Sequence, residues 1–145
     1  MQLYEIMTGG IETIAPDASL QAAAQKMTTL DVGILPVREG DKLIGAITDR
    51  DITIRAVAQG LDPVKTPVRY AMTEMVVCGF ADQDIKEGTR LMMDNQIRRL
   101  FIIDRDKQLI GIVSLADLAL GVDDKDLAGQ VLTRISEPAQ VPMHA

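Results

Sequence analysis

Apolar positions in this chain follow a helical period, then strand-like runs, and then begin the same succession again. Leu20, Ala23, Ala24, Met27 and Leu30 recur at the i, i+3, i+4, i+7 spacing. This predicts a helix with one buried stripe, and Ser19 just ahead of it carries a hydroxyl suited to an N-cap. The runs Ile34 to Val37 and Leu43 to Ile47 are almost continuously apolar, which predicts short strands covered on both faces. Between them Arg38-Glu39-Gly40-Asp41 supplies turn residues for a hairpin. A short extended piece, Glu12 to Ala15, precedes the helix, and a second helix is predicted from Thr48 to Gly60, with Asp62-Pro63 as terminator.

The second half repeats this order. An extended piece (Val76 to Phe80) leads to a helix capped by Asp84, with Ile85, Gly88, Leu91 or Met92, and Asn95 on one face. Strands at Leu100 to Ile103 and Leu109 to Val113 flank the turn Asp104-Arg105-Asp106-Lys107, and a helix starts at Ser114. Met7-Thr8 and Met72-Thr73 stand 65 residues apart, and the same offset lays Asp17 on Asp82, Met27 on Met92 and Leu35 on Leu100. After one inserted residue, Leu43-Ile44-Gly45 lies on Leu109-Ile110-Gly111, Thr48 on Ser114 and Asp51 on Asp117. An internal repeat of this kind predicts units that cannot bury their sheets alone. The expected fold is α/β (α+β): two β-α-β-β-α repeats, residues 1–62 and 63–121, packed about a pseudo-two-fold axis with clefts between them. A partly helical tail is expected over 122–145, Asp123 to Ile135 having helix-forming composition and Pro138 and Pro142 ending it.

Composition narrows the function more than the fold. A formal charge of −6 and a pI near 4.7 argue against a grip on phosphate backbones, and the densest basic cluster is Arg98-Arg99, too small for a membrane patch. The chain starts without the pattern of a signal peptide and holds no apolar run long enough for a bilayer span, so the expected location is the cytoplasm. One cysteine, Cys78, and one histidine, His144, leave no Ser-His-Asp or Cys-His set and no zinc spacing. Phosphate-loop and GxGxxG fingerprints are also missing. A non-catalytic chain is expected, with no required cofactor and no metal.

The chemistry sits where each repeat's last strand meets its second helix. Thr48 with Asp51, and Ser114 with Asp117, each place a hydroxyl at a helix start and a carboxylate three residues on. Two readings are open. The hydroxyl and adjacent amides hold a phosphate while the carboxylate takes a ribose diol, or the pair is a capping box that serves only the helix. Asp49 adds negative charge beside Thr48, whereas Leu115 and Ala116 add none and Arg98-Arg99 lie near. The Ser114/Asp117 set is therefore the better anion site.

Gly45-Ala46-Ile47-Thr48-Asp49-Arg50-Asp51 and Gly111-Ile112-Val113-Ser114-Leu115-Ala116-Asp117 both fit the pattern G-h-h-(S/T)-x-x-D. With Met-Thr opening each copy and Leu35-Pro36-Val37 before the hairpin, the chain resembles tandem CBS (cystathionine-β-synthase-type) modules, or Bateman modules. Thr48-Asp49-Arg50-Asp51-Ile52, then Gly60-Leu61-Asp62-Pro63 and a short tail, resembles stand-alone bacterial CBS pairs of the hypoxic response protein type. The resemblance implies a regulatory module that binds an AMP-, ADP- or ATP-like adenosine nucleotide between the repeats, forms a homodimer, and signals to a protein partner in trans. It further implies that the base stacks among Ile14, Ala15, Pro16, Leu35 and Pro36 in one copy, and among Cys78, Gly79, Phe80, Leu100 and Phe101 in the other, with Arg99 beside the second set. Every one of these is open to a plain core reading. Phe101 departs from the pattern, standing where the first copy has Pro36, and its ring either stacks on a base or fills the pocket. The alternatives are an interaction module with empty clefts, or a redox or metal sensor acting through Cys78.

Overall fold

A computed structural model of the chain describes residues 1–74 and 76–138. In chain order the elements are a 3-10 turn at Leu3–Glu5, β1 (Thr8–Gly9), α1 (Leu20–Leu30), β2 (Ile34–Glu39), β3 (Lys42–Thr48) and α2 (Asp49–Ile52), which runs on as a wider turn over Thr53–Val57. Then come α3 (Val68–Ala71), β4 (Cys78–Phe80), α4 (Ile85–Asn95), β5 (Arg99–Ile103), β6 (Leu109–Ser114), α5 (Leu115–Gly121) and α6 (Lys125–Ser136). This is an α+β chain. It divides into two compact units, a central one of Glu12–Val76 and a split one of Met1–Ile11 together with Val77–Ala145.

In the central unit, the Ser19 hydroxyl accepts from Ala22 N at 3.0 Å, and α1 closes on Asp31 in the left-handed region at φ 54°. β2 and β3 pair antiparallel with Ile34 opposite Thr48 and Leu35 opposite Ile47. Side chains alternate across a strand, so Leu35, Val37 and Ile47 enter the core with Leu20, Ala23 and Met27. Ile14 forms a parallel bridge to Val37 and belongs to the same core.

The split unit repeats that logic. The Asp84 carboxylate accepts from Lys86 N at 2.9 Å, and α4 closes on Gln96 at φ 50°, the residue 65 positions after Asp31. The sheet order is β1-β6-β5-β4, with β4 parallel to β5. Both hairpins shift register at matching places, Val37/Arg38 and Ile102/Ile103. The predicted helix after Asp123 is α6. Its Val131 and Ile135 join the core of this unit, and the Gln96 side-chain amide donates to Arg134 O and Glu137 O at its far end. Pro142 and His144 lie outside the described residues.

The compact units do not follow the expected boundaries of 1–62 and 63–121. Residues 1–11 pack with the second repeat's strands, and residues 63–76 pack with the first repeat's. Thr8 and Gly9 pair with Ile112 and Gly111 of β6, and Thr73 pairs with Ala46 of β3 through bonds of 3.0 and 2.8 Å. Each unit thus pairs its last hairpin strand with the other repeat's lead-in, by the strand β1 in the split unit and by a single bridge in the central one. The glycine of the G-h-h-(S/T)-x-x-D pattern makes this possible. A Cβ on Gly45 would fall 2.5 Å from Thr73 O and 3.2 Å from Met72 Sδ, and one on Gly111 would strike Met7 Sδ. The motif's glycine is room for the chain itself.

Side-chain volumes match each lead-in to its unit. Leu3, 1% exposed, fills the space beside Gly88 and Gly79; a Cβ on Gly88 would lie 2.5 Å from its Cδ2. At the repeat-equivalent positions the central unit carries Val68, Ala23 and Ile14, all in its core. One unit pairs a large lead-in residue with small core positions, and the other does the reverse. Gly88→Ala gains about 1 kcal/mol of helix propensity but overpacks Leu3 by about 1–3 kcal/mol. The expected net effect in urea unfolding is a loss of about 1 kcal/mol for Gly88→Ala alone, recovered when Leu3→Val is combined with it. Additive single effects would show that the two volumes are not coupled.

Candidate functional site

Both hydroxyl–carboxylate pairs form complete capping boxes. Asp51 N donates to Thr48 Oγ1 at 3.0 Å and Thr48 N to Asp51 Oδ2 at 3.0 Å. In the split unit Asp117 N donates to Ser114 Oγ at 3.1 Å and Ser114 N to Asp117 Oδ2 at 2.8 Å. The capping reading therefore holds in both copies, and any ligand chemistry must use what the boxes leave over. Each hydroxyl keeps its proton to donate, and each carboxylate keeps one oxygen outside the box.

What is left over differs between the units. At the start of α2 every early amide is engaged, because Asp49 N donates to Gly33 O at 3.0 Å and Arg50 N to the Asp49 carboxylate at 2.8 Å. Asp51 Oδ1 has Arg55 Nε at 4.0 Å. At the start of α5, Leu115 N donates to Arg98 O at 3.0 Å. Ala116 N and Asp117 Oδ1, however, have no hydrogen-bond or ion-pair partner among the described residues. The Asp49 carboxylate thus engages the Arg50 amide, whereas Leu115 offers no such acceptor to the Ala116 amide.

The strand register sorts the other candidates. Arg99 stands opposite Ser114, Phe101 opposite Ile112, and Cys78 beside Phe101. By alternation Cys78, Phe80, Arg99, Phe101, Ile112 and Ser114 share one face of the sheet, with Asp117 one helical turn beyond Ser114. Leu100 points the other way, into the core at 0% exposure, and Gly79 faces it, since a Cβ there would meet Leu100 Cδ2 at 2.9 Å. In the central unit Ile14 and Leu35 are likewise core residues. These four are structural, a correction to the stacking sets. The reason is that a continuous apolar run hides which alternate residues face the core. Ala15 is exposed; Pro16 and Pro36 are buried, and Pro16 O accepts from Arg69 N at 2.9 Å.

The aromatic candidates offer less surface than their type suggests. Phe101 is 4% exposed. Phe80 is half-buried, and Arg105 lies over its ring, 4.2 Å from the centroid, held by two bonds of 2.9 and 2.7 Å to Asp82. That pairing holds the Asp82 carboxyl below its usual range. Half-buried Ile112, the free Ala116 amide and Arg55 were not singled out from sequence. Ile112 reads there as one more apolar strand residue, and hydrogen-bond vacancies leave no trace in residue type.

Cys78 is half-buried, and burial pushes its thiol pKa up. A redox-sensing thiol needs the opposite shift. Among the described residues no three His, Cys, Asp or Glu side chains cluster as metal ligands, and no helix is long and apolar enough to cross a membrane. His144 lies outside the described residues.

Two copies of one small helix-and-strand unit, each with a capped hydroxyl–carboxylate pair at the end of its hairpin, define a tandem-repeat module. The CBS-domain profile matches residues 3–57 and 68–128, and the chain belongs to that family: it is a CBS pair. It is 41% identical over 132 residues to "CBS domain-containing protein YhcV" of Bacillus subtilis, covering 91% of this chain and 93% of that one. Against hypoxic response protein 1 of Mycobacterium tuberculosis it is 36% identical over 116 residues, covering 79% and 80%. A crystal structure of hypoxic response protein I with two coordinated zinc ions superposes with a TM-score of 0.75 at 34% identity, over 84% of this chain and 99% of that one. CBSX2 in complex with AMP shares the fold at a TM-score of 0.70 and 21% identity, over 83% and 94% of the two chains.

Two outcomes follow from this geometry. Thr48→Ala and Ser114→Ala are each expected to cost about 1 kcal/mol of stability through the lost caps, read from denaturant midpoints without ligand. Cys78 is expected to react with a soluble alkylating reagent more slowly than free cysteine at neutral pH, and to speed up as pH rises through its raised pKa. A rate above that of free cysteine would favour the redox-sensor reading.

Proposed function

We propose that this CBS pair is a non-catalytic regulatory module that binds an adenosine nucleotide against the sheet face of the split unit. The observation that carries the reading is the unspent polar set at the start of α5. The Ser114 hydroxyl still has a proton to donate, the Ala116 amide lacks an acceptor among the described residues, and Asp117 Oδ1 remains outside the capping box. An acceptor oxygen there suits a ribose hydroxyl, while hydroxyl, amide and the Arg99 guanidinium across the strand pair suit a phosphate. Ile112 and Cys78 supply the apolar contact for the base, with Phe101 behind them as a fixed wall. The AMP held by a fold neighbour supports that ligand as the first to test.

Binding energy reaches a partner only as the ligand's differential affinity for two arrangements of the protein. A homodimer and a protein partner acting in trans are the receivers this reading calls for, in the cytoplasm. Thermal unfolding with AMP, ADP or ATP at about a hundred times the dissociation constant should raise the midpoint by ~5–10 °C, equivalent to about 2.7 kcal/mol. In calorimetry Asp117→Ala should weaken AMP binding at least tenfold, about 1.4 kcal/mol or more, and Asp51→Ala by less than about twofold, a spread of at least about 1 kcal/mol in binding free energy. Binding lost only in Asp51→Ala would reverse the choice of set, and no shift with any adenosine compound would leave the interaction-module reading in place.

A further inference from the structure

The two sets differ most at a residue that lies outside the repeat pattern. Arg55 sits one turn past Asp51, and its Nη1 donates to two successive carbonyls, Ala71 O at 3.1 Å and Met72 O at 3.0 Å. Its Nε lies 4.0 Å from Asp51 Oδ1. Asp51 is 15% exposed and Arg55 48%, so the carboxylate is the sheltered partner. One Asp51 oxygen is spent on the Thr48 amide, and the other faces a resident cation that the lead-in backbone holds in place. In the split unit the position equivalent to Arg55 is Gly121, and those equivalent to Ala71 and Met72 are Ile6 and Met7. A Cβ on Gly121 would stand 3.3 Å from Ile6 Cγ2, on the same side of the lead-in, so the Ile6 side chain must give by a few tenths of an ångström to admit one. The place for the lock exists there, and the guanidinium does not.

We infer that Arg55 is a built-in counter-ion that keeps the Asp51 set closed to nucleotide, and that glycine at the matching position 121 leaves the Asp117 set open. Arg55 is a specificity-determining residue acting through Asp51. It neutralises the carboxylate that a ribose diol would address, and it does so with donors already anchored on backbone oxygens, so a ligand must displace both contacts. Asp49 reinforces the closure by taking the Arg50 amide. The chain accordingly takes one nucleotide, in the split unit.

This rests on the nucleotide reading above, and the two fail separately. The full chain is titrated calorimetrically with AMP as wild type, Gly121→Ala and Gly121→Arg. The expected result is one AMP per chain, retained within twofold in Gly121→Ala and weakened at least tenfold in Gly121→Arg, whose guanidinium reaches Asp117 from the Ile6–Met7 carbonyls. Unchanged binding in Gly121→Arg, or two equal sites in the wild type, overturns the lock. Should no adenosine nucleotide bind at all, the binding reading falls, and the lock is read from stability instead. Asp51→Ala and Arg55→Ala should then be coupled, the double variant melting no lower than the less stable single one. Additive losses in midpoint overturn it.

Discussion

Two short backbone crossings decide what each unit of this protein is made of. Met7-Thr8 passes over Gly111 and Met72-Thr73 over Gly45, so close that a single methyl at either glycine would collide with sulfur or a carbonyl oxygen. One crossing adds the edge strand β1 to a hairpin and the other a single bridge, and each buries the residue that leads into it, Leu3 in one case and Val68 in the other. Without them β3 and β6 would end as open edges, which are costly to leave unpaired. The split unit is assembled from the two ends of its chain because its outer strand comes from the beginning of the sequence.

The same crossings organise the candidate site. β1 pairs along β6 as far as Ile112, two residues before Ser114, and the Met72 backbone anchors the guanidinium that faces Asp51. A device that began as core assembly thus reaches the polar groups at both helix starts. Of the two duplicated units, one has its early helix amides engaged and the other leaves the Ala116 amide without an acceptor among the described residues. The difference lies in Asp49, Arg50 and Arg55 against Leu115, Ala116 and Gly121. Nothing in the fold of either unit requires it.

Family membership and site geometry carry different weight. The repeat profile and relatives of similar length establish a CBS pair. Which groups remain available to a ligand follows only from hydrogen-bond partners in this chain, and these turn the shared G-h-h-(S/T)-x-x-D pattern into a capping box first. The pattern's hydroxyl and carboxylate hold the helix start whether or not anything binds. The motif by itself therefore identifies the fold more securely than it identifies the bound molecule.

Much of this was legible from residue order. The repeat offset, the caps Ser19 and Asp84, the two hairpins and the helical tail after Asp123 all follow from local periodicity and residue type. These are short-range properties, and a chain displays them before it folds. Tertiary structure decided the rest. It exchanged the lead-ins between units, because Leu3 fits beside Gly88 and Val68 joins the core that holds Ala23. It assigned Ile14, Leu35, Gly79 and Leu100 to core faces, because an all-apolar strand conceals its own alternation until a partner strand sets the register. It brought Arg55 to Asp51 and to the Met72 carbonyl, because a side chain's partners across 17 residues depend on where the backbone returns, and no local pattern encodes that distance.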